Sequence, residues 1–258
     1  MEMISPKAVS EGSAEWQARV DLAAAHRLAV MHGLNEGIFN HLTLRVPGKS
    51  DRYLQIPFGT YWSEVTASCF MEVGYDGTRL VGDGEIEDTC YAIHAPIHRM
   101  LDRAAAVLHT HMPFASALSR LEDPQILPIG QTELSMAFHT VYDSDYGGLV
   151  FDSAEGERYA RMLGDDKTIL MMANHGVLVT GRSVAEAYDR LYYLERAAQV
   201  QLYAMWTGKP LKHLPENVIE VTQREFRNYK QYGGKPNCEH HFAALKRILD
   251  RREPDYRN

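Results

Sequence analysis

Cysteine is scarce in this chain of 258 residues: only Cys69, Cys90 and Cys238 occur, widely spaced and without a CxxC pair. An odd count at such spacings supports neither a disulfide framework nor a thiolate zinc finger, and a reducing cytoplasm is the expected compartment. Basic charge is also short, with 27 Lys and Arg against 34 Asp and Glu, a net charge of -7. No concentrated basic surface is available for phosphate backbones, which argues against a nucleic-acid partner. No apolar run approaches the roughly 18 residues of a membrane span. Residues Met1 to Ser13 lack the basic and apolar segments of an export signal. Repeats, low-complexity tracts and Gly/Ser/Pro linkers are missing as well. What is present is the composition of a soluble globular protein, 45% apolar and 24% charged, together with 12 histidines.

The periodicity places an amphipathic helix over Ala14 to His32, closed by Gly33, and strands over His41 to Val46 and Tyr53 to Ile56 with a Pro47-Gly48 turn between them. Val73 to Gly77 reads as a strand end with a hairpin signal at Asp76-Gly77. A helix is expected over Thr89 to Arg103, a buried strand over Ala104 to His111, and a short helix over Ser153 to Gly164. Thr168 to Met172 and Val177 to Thr180 read as strands interrupted by Ala173-Asn174-His175-Gly176. Ser183-Val184-Ala185-Glu186 is a capping box that opens a long helix running to Gly208. Two further helices are expected near Asn217 to Tyr232 and Asn237 to Arg251. Interleaved helices and strands make the class α/β or α+β, and periodicity leaves that choice open.

Histidine spacing carries the chemistry. In His109-Thr110-His111 the two rings project from one face of a strand, so both can reach a single ion. The alternative is one core histidine and one surface histidine. Asn174-His175-Gly176 adds a third candidate at the end of another apolar strand, where glycine permits a backbone that other residues resist. Together the elements fit three imidazoles with one open coordination position, as a catalytic zinc site requires. His94-Ala95-Pro96-Ile97-His98 imitates a zincin helix but lacks its Glu, and Pro96 should disturb the helix, so these two histidines read as structural or supporting groups. Cys238-Glu239-His240-His241 reads as a solvated helix start, and Gly82-Asp83-Gly84 as a turn, since no G-x-G-x-x-G follows a strand.

The ordered stretches Gly33 to Gly48, Trp62 to Ser68, His94 to Pro113, Asn174-His175-Gly176 and Leu194-Glu195-Arg196-Ala197 resemble the class II aldolase/adducin head-domain family, with fuculose-phosphate aldolase-like members. The resemblance runs from about Trp16 to Gly208. It implies a three-layer αβα sandwich around a mainly antiparallel sheet, spanning residues 14–210, with 211–258 as a C-terminal helical extension packed on the same domain. It also implies a homotetramer with sites near subunit interfaces. One divalent metal would be held by His109, His111 and His175, zinc in the first place and Mn2+ or Fe2+ as alternatives.

Departures from the family pattern bear on the substrate. Cys90 stands where the sugar-phosphate aldolases carry a Glu that acts as base or ligand. Asp88 and Thr89 replace their phosphate-holding Ser-Ser pair, His41 replaces an Asn, and Phe58-Gly59 replaces Thr-Gly. An acceptor and an apolar ring make a poor phosphate cradle. The expected activity is therefore a metal-dependent lyase, an aldolase or decarboxylase stabilising the enolate of a small, non-phosphorylated keto or hydroxy acid or carbonyl compound. Substrate-binding candidates are Asn40, His41, Asp88 and Thr89. Catalytic candidates are Cys90 and, as a replacement acid or base on Gly130 to Met136, Glu133. Tyr142, Asp143 and Tyr146 form a polar turn that could face the site from a neighbouring subunit. Alternatives are a non-catalytic adducin-like interaction domain and a three-histidine iron oxygenase.

Overall fold

The computed structural model describes residues 9–228 and 231–258. Among the described residues eight strands form one sheet: β1 (His41–Arg45), β2 (Arg52–Gln55), β3 (Met71–Gly74), β4 (Arg79–Val81), β5 (Ala106–Thr110), β6 (Thr140–Asp143), β7 (Ile169–Met172) and β8 (Val177–Gly181). Their spatial order is β4-β3-β2-β1-β5-β8-β7-β6. Every pairing is antiparallel except β6 with β7. The helices are α1 (Ala14–Met31), α2 (Asp88–Met100), α3 (Pro113–Leu118), α4 (Gln131–His139), α5 (Ser153–Leu163), α6 (Val184–Trp206), α7 (Glu216–Arg227) and α8 (Asn237–Arg252). None of the described helices is long and apolar enough to cross a membrane.

Alternation along the central strands builds the layers. Ala106 and Leu108 of β5, Ile169 and Met171 of β7, and Val177 and Val179 of β8 join α1, α6 and α8 in one buried cluster. Their neighbours Val107, Leu170, Met172 and Leu178 join Ile93 and Ile97 of α2 and Tyr159, Ala160 and Leu163 of α5 in another. The sheet thus lies between two helical layers.

Local signals explain the helix ends. Ser13 caps α1 by accepting the Trp16 N–H, and Ser183 caps α6 by accepting the Glu186 N–H at 3.2 Å. Glu186 returns its carboxylate to the Arg182 N–H at 2.6 Å, one residue before the position that a capping box predicts. The long helix stops at Trp206, short of Gly208. α7 ends at Arg227, short of the expected Tyr232, and residues 229–230 lie outside those described, as do 1–8. Pro96 does not break α2, which is continuous around it. Beyond α8, Tyr256 is buried, and its carbonyl accepts the Ala67 N–H at 3.0 Å.

Two buried histidines make stability depend on acidity. Burial lowers His26 to about 4 against a hydrogen bond to the Leu22 carbonyl, and lowers His98 to about 3 against one to Ala104. In the unfolded chain both rings protonate near pH 6.5. Below that pH the unfolded state binds protons that the folded state refuses, so stability is full above about 6.5 and is lost on acidification. The slope is about 1.4 kcal/mol per pH unit for each ring until its folded value is reached. Thermal melts at fixed ionic strength should fall steadily from pH 6.5 to 5. A flat profile would show that these rings take up protons in the fold at no cost.

Candidate metal centre

The sheet brings distant histidines to one edge. His109 ends the apolar run of β5, lying opposite His41 of β1 and Leu178 of β8. His111 follows where the chain leaves β5 for α3. His175 sits in the tight connection between β7 and β8, closed by the Met172 N–H to the Gly176 carbonyl at 2.9 Å. Asn174 takes the left-handed backbone there (φ 55), whereas Gly176 has no positive φ. Gly176 is needed for space instead: a Cβ on it would lie 2.6 Å from the Thr110 carbonyl oxygen and 2.7 Å from Cδ2 of His111. Glycine at this position lets the connection press against the neighbouring ring.

The three rings stand 4.8 to 5.0 Å apart, centre to centre. Their prospective ligand atoms all lie within 4.8 Å of one another. Two are held through Nδ1. His109 Nδ1–H donates to the Val177 carbonyl at 2.9 Å, and His111 Nδ1–H donates to Oε2 of Glu36 at 2.5 Å. Those tautomers leave each Nε2 with a lone pair, and Nε2 of His111 is buried without a partner. Burial, with the neighbouring histidines, holds His109 well below the usual imidazole range. Burial, His111, His41 and Arg120 bring His175 to about 4. Neutral imidazoles are the form that binds a cation, and a carboxylate behind His111 orients the ring as an outer-shell partner does. The residues fit a divalent metal.

Asn40, left-handed at φ 75, accepts the His111 N–H through Oδ1 at 3.1 Å, while its Nδ2 is buried and unpartnered. The Tyr146 ring lies 6.2 Å from that of His175 in the same chain. Arg120 donates to the His175 carbonyl at 3.3 Å. His41 is paired with Glu87 at 2.9 Å, and Thr89 donates to Glu87 at 2.7 Å. Burial alone would raise Glu87, but His41, Thr89 and the Cys90 N–H bring it down to about 2. Asp88 is exposed at the start of α2, and Cys90 and His94 are buried in that helix. Burial pushes the Cys90 thiol well up.

Other candidates sit elsewhere. Glu133 borders a cleft with Thr132, Tyr193, Arg196 and His241, and none of His109, His111 and His175 lines it. Tyr142 and Asp143 belong to β6 rather than to a turn. The Tyr142 hydroxyl accepts the Ile126 N–H, and Asp143 is buried against Arg158. Sequence reasoning assigned no part to Glu36, Glu87 or Arg120. An acidic N-cap three residues before Cys90 signals Glu87, but Glu36 and Arg120 acquire their neighbours only through the tertiary fold.

Residues 20–202 match the family described as Class II Aldolase and Adducin N-terminal domain. A Pseudomonas aeruginosa protein provisionally named a class 2 aldolase is 34% identical over 95% of this chain and 93% of its own length. Alpha-adducin of Rattus norvegicus is 29% identical over 90% of this chain but only 33% of its own. Among solved structures, an aldolase II superfamily protein from Pseudomonas syringae superimposes with a TM-score of 0.87 at 36% identity, covering 97% of this chain and 98% of that one.

Proposed function

The chain belongs to the class II aldolase and adducin family, and from that premise we propose that it is a divalent-metal lyase. Its substrate would be a small, non-phosphorylated keto or hydroxy acid or carbonyl compound, cleaved by retro-aldol reaction or decarboxylation. The observation that carries this reading is the convergence of three imidazoles, two of them locked by acceptors at Nδ1. His109, His111 and His175 are the ligands, and Zn2+ is the ion we assign ahead of Mn2+ or Fe2+, since imidazole suits all three. When bound, the cation supplies the positive charge that an enolate oxygen requires as a C–C bond breaks.

The chain's own residues do the rest. Nδ2 of Asn40 is free to donate to a substrate oxygen. The Arg120 guanidinium beside His175 suits a carboxylate. The Thr89 hydroxyl is committed to Glu87, and Asp88 adds negative charge, so a phosphate ester finds no ready donors here. The proton returned to the enolate carbon is assigned to the Tyr146 hydroxyl. Cys90 is too deeply buried as a neutral thiol to act as a base, and Glu133 borders another cleft. Residues 211–258 extend the same domain, and a cytoplasmic homotetramer is the working assembly.

Metal analysis of the purified protein, with turnover of keto and hydroxy acids followed as carbon dioxide or aldehyde release, tests the reading. Activity should require the divalent ion, and Tyr146→Phe should lower kcat by about 10²-fold or more at unchanged metal content. A protein that binds no divalent ion and turns nothing over would be an adducin-like scaffold.

A further inference from the structure

A second cluster lies between β1 and α2. His41, Cys90 and His94 are all buried and present prospective ligand atoms within 4.8 Å of one another. The His41 and His94 rings meet edge to face at 5.2 Å. Nδ1 of His41 and Nε2 of His94 are buried with no hydrogen-bond partner. Leaving two such nitrogens unsatisfied is costly, and each needs an explanation.

The surrounding hydrogen bonds settle which atoms carry lone pairs. His98 Nδ1–H donates to the Ala104 carbonyl at 2.9 Å, so its Nε2 must accept, and the Thr43 hydroxyl donates to it at 2.8 Å. Thr43 Oγ1 then accepts from His94 Nδ1–H at 2.7 Å. His94 Nε2 is therefore a bare lone pair. On the other ring, His41 Nε2–H donates to Oε2 of Glu87 at 2.9 Å, which leaves Nδ1 as the free nitrogen. Both rings are thus held from behind, by a hydroxyl and a carboxylate, in the manner of supported metal ligands. A crevice lined by Asn40, Gln55, Pro57, Phe58 and Glu87 borders His41, one member of the cluster.

We propose that His41, Cys90 and His94 form a second cation site, distinct from the three-histidine group, that takes a thiophilic divalent ion of the zinc class. Two imidazoles and a thiolate are soft to intermediate donors that select such an ion over magnesium or calcium. On ligation the thiol gives its proton to solvent and stays as thiolate. His41 and His109 stand 5.2 Å apart, so the two cations would be close neighbours. The thiolate and the Glu87 carboxylate supply negative charge that offsets their repulsion.

Full-length protein stripped with a chelator and titrated with Co2+ tests the site, because a cobalt–thiolate bond gives a charge-transfer band in the near ultraviolet. Wild type should bind two equivalents per chain and develop the band. Cys90→Ser, nearly isosteric and checked for folding by circular dichroism, should bind one equivalent without it. His111→Ala should lose an equivalent and keep the band. Absence of the band from wild type, or a Cys90→Ser protein that matches wild type in both readouts, overturns the proposal. A band with a single equivalent upholds the sulfur site and counts against the three-histidine site instead.

Discussion

His111→Ala should empty the three-histidine site, lowering its affinity for a divalent ion by about 100-fold or more, while the fold survives. Losing an outer-shell partner typically costs 10–100-fold in metal affinity, and His111 is itself a proposed ligand. Survival of the fold follows from position. His111 lies beyond the end of β5, is partly exposed, and contributes nothing to the apolar clusters on either side of the sheet. Its removal therefore opens no cavity in the core. Glu36→Gln should act in the same direction but less, because it leaves all three imidazoles in place and weakens only the acceptor for His111 Nδ1–H. Metal content after dialysis against a weak chelator, read beside the melting temperature, checks both variants. Unchanged occupancy in folded His111→Ala would remove this ring from the ligand set.

The parts of the site that could be read from the sequence are those fixed by short-range geometry. A two-residue spacing on an apolar strand is enough to place His109 and His111 together, and an apolar strand broken at Asn-His-Gly marks His175. Long amphipathic helices such as α1 and α6 are also legible, because caps and periodicity lie within the same few residues. Elements whose stabilising partner is far along the chain are not. α3 has only six residues, and its first N–H groups, those of Phe114 and Ala115, are satisfied by the Glu195 carboxylate of α6 at 2.8 and 2.9 Å. No local signal announces that cap. β6 is a parallel edge strand whose residues do not alternate in burial, so its Tyr and Asp look like turn residues. Glu36 becomes the acceptor for His111 only because β1 pairs with β5. Gly176 is legible as special, but for another reason than backbone freedom: what forbids a side chain there is the Thr110 carbonyl together with the His111 ring.

Gly156→Val should destabilise the protein by about 3 kcal/mol or more, the upper range for forcing atoms into a packed interior. Gly156 lies in α5 where that helix crosses α2, and a Cβ on it would come within 2.4 Å of the Ala92 carbonyl oxygen and 2.8 Å of that of Ile93. The two backbones touch, with no side chain to yield. Pro96 explains why Ala92 is the contact. Proline has no N–H, so the carbonyl four residues before it receives no helical hydrogen bond, and a glycine Cα can approach that oxygen as a weak donor. The consequence reaches the cluster of His41, Cys90 and His94, because α2 carries Cys90 and His94 on the same stretch that a larger residue at 156 would push. Gly156→Ala should cost less but still be clearly destabilising, despite the higher helix propensity of alanine, because the carbonyl cannot give way without moving α2. Urea unfolding of the two variants measures this. A Gly156→Ala protein as stable as wild type would show that α5 can shift along α2 at little cost, and that the close crossing does not fix the position of the helix bearing Cys90 and His94.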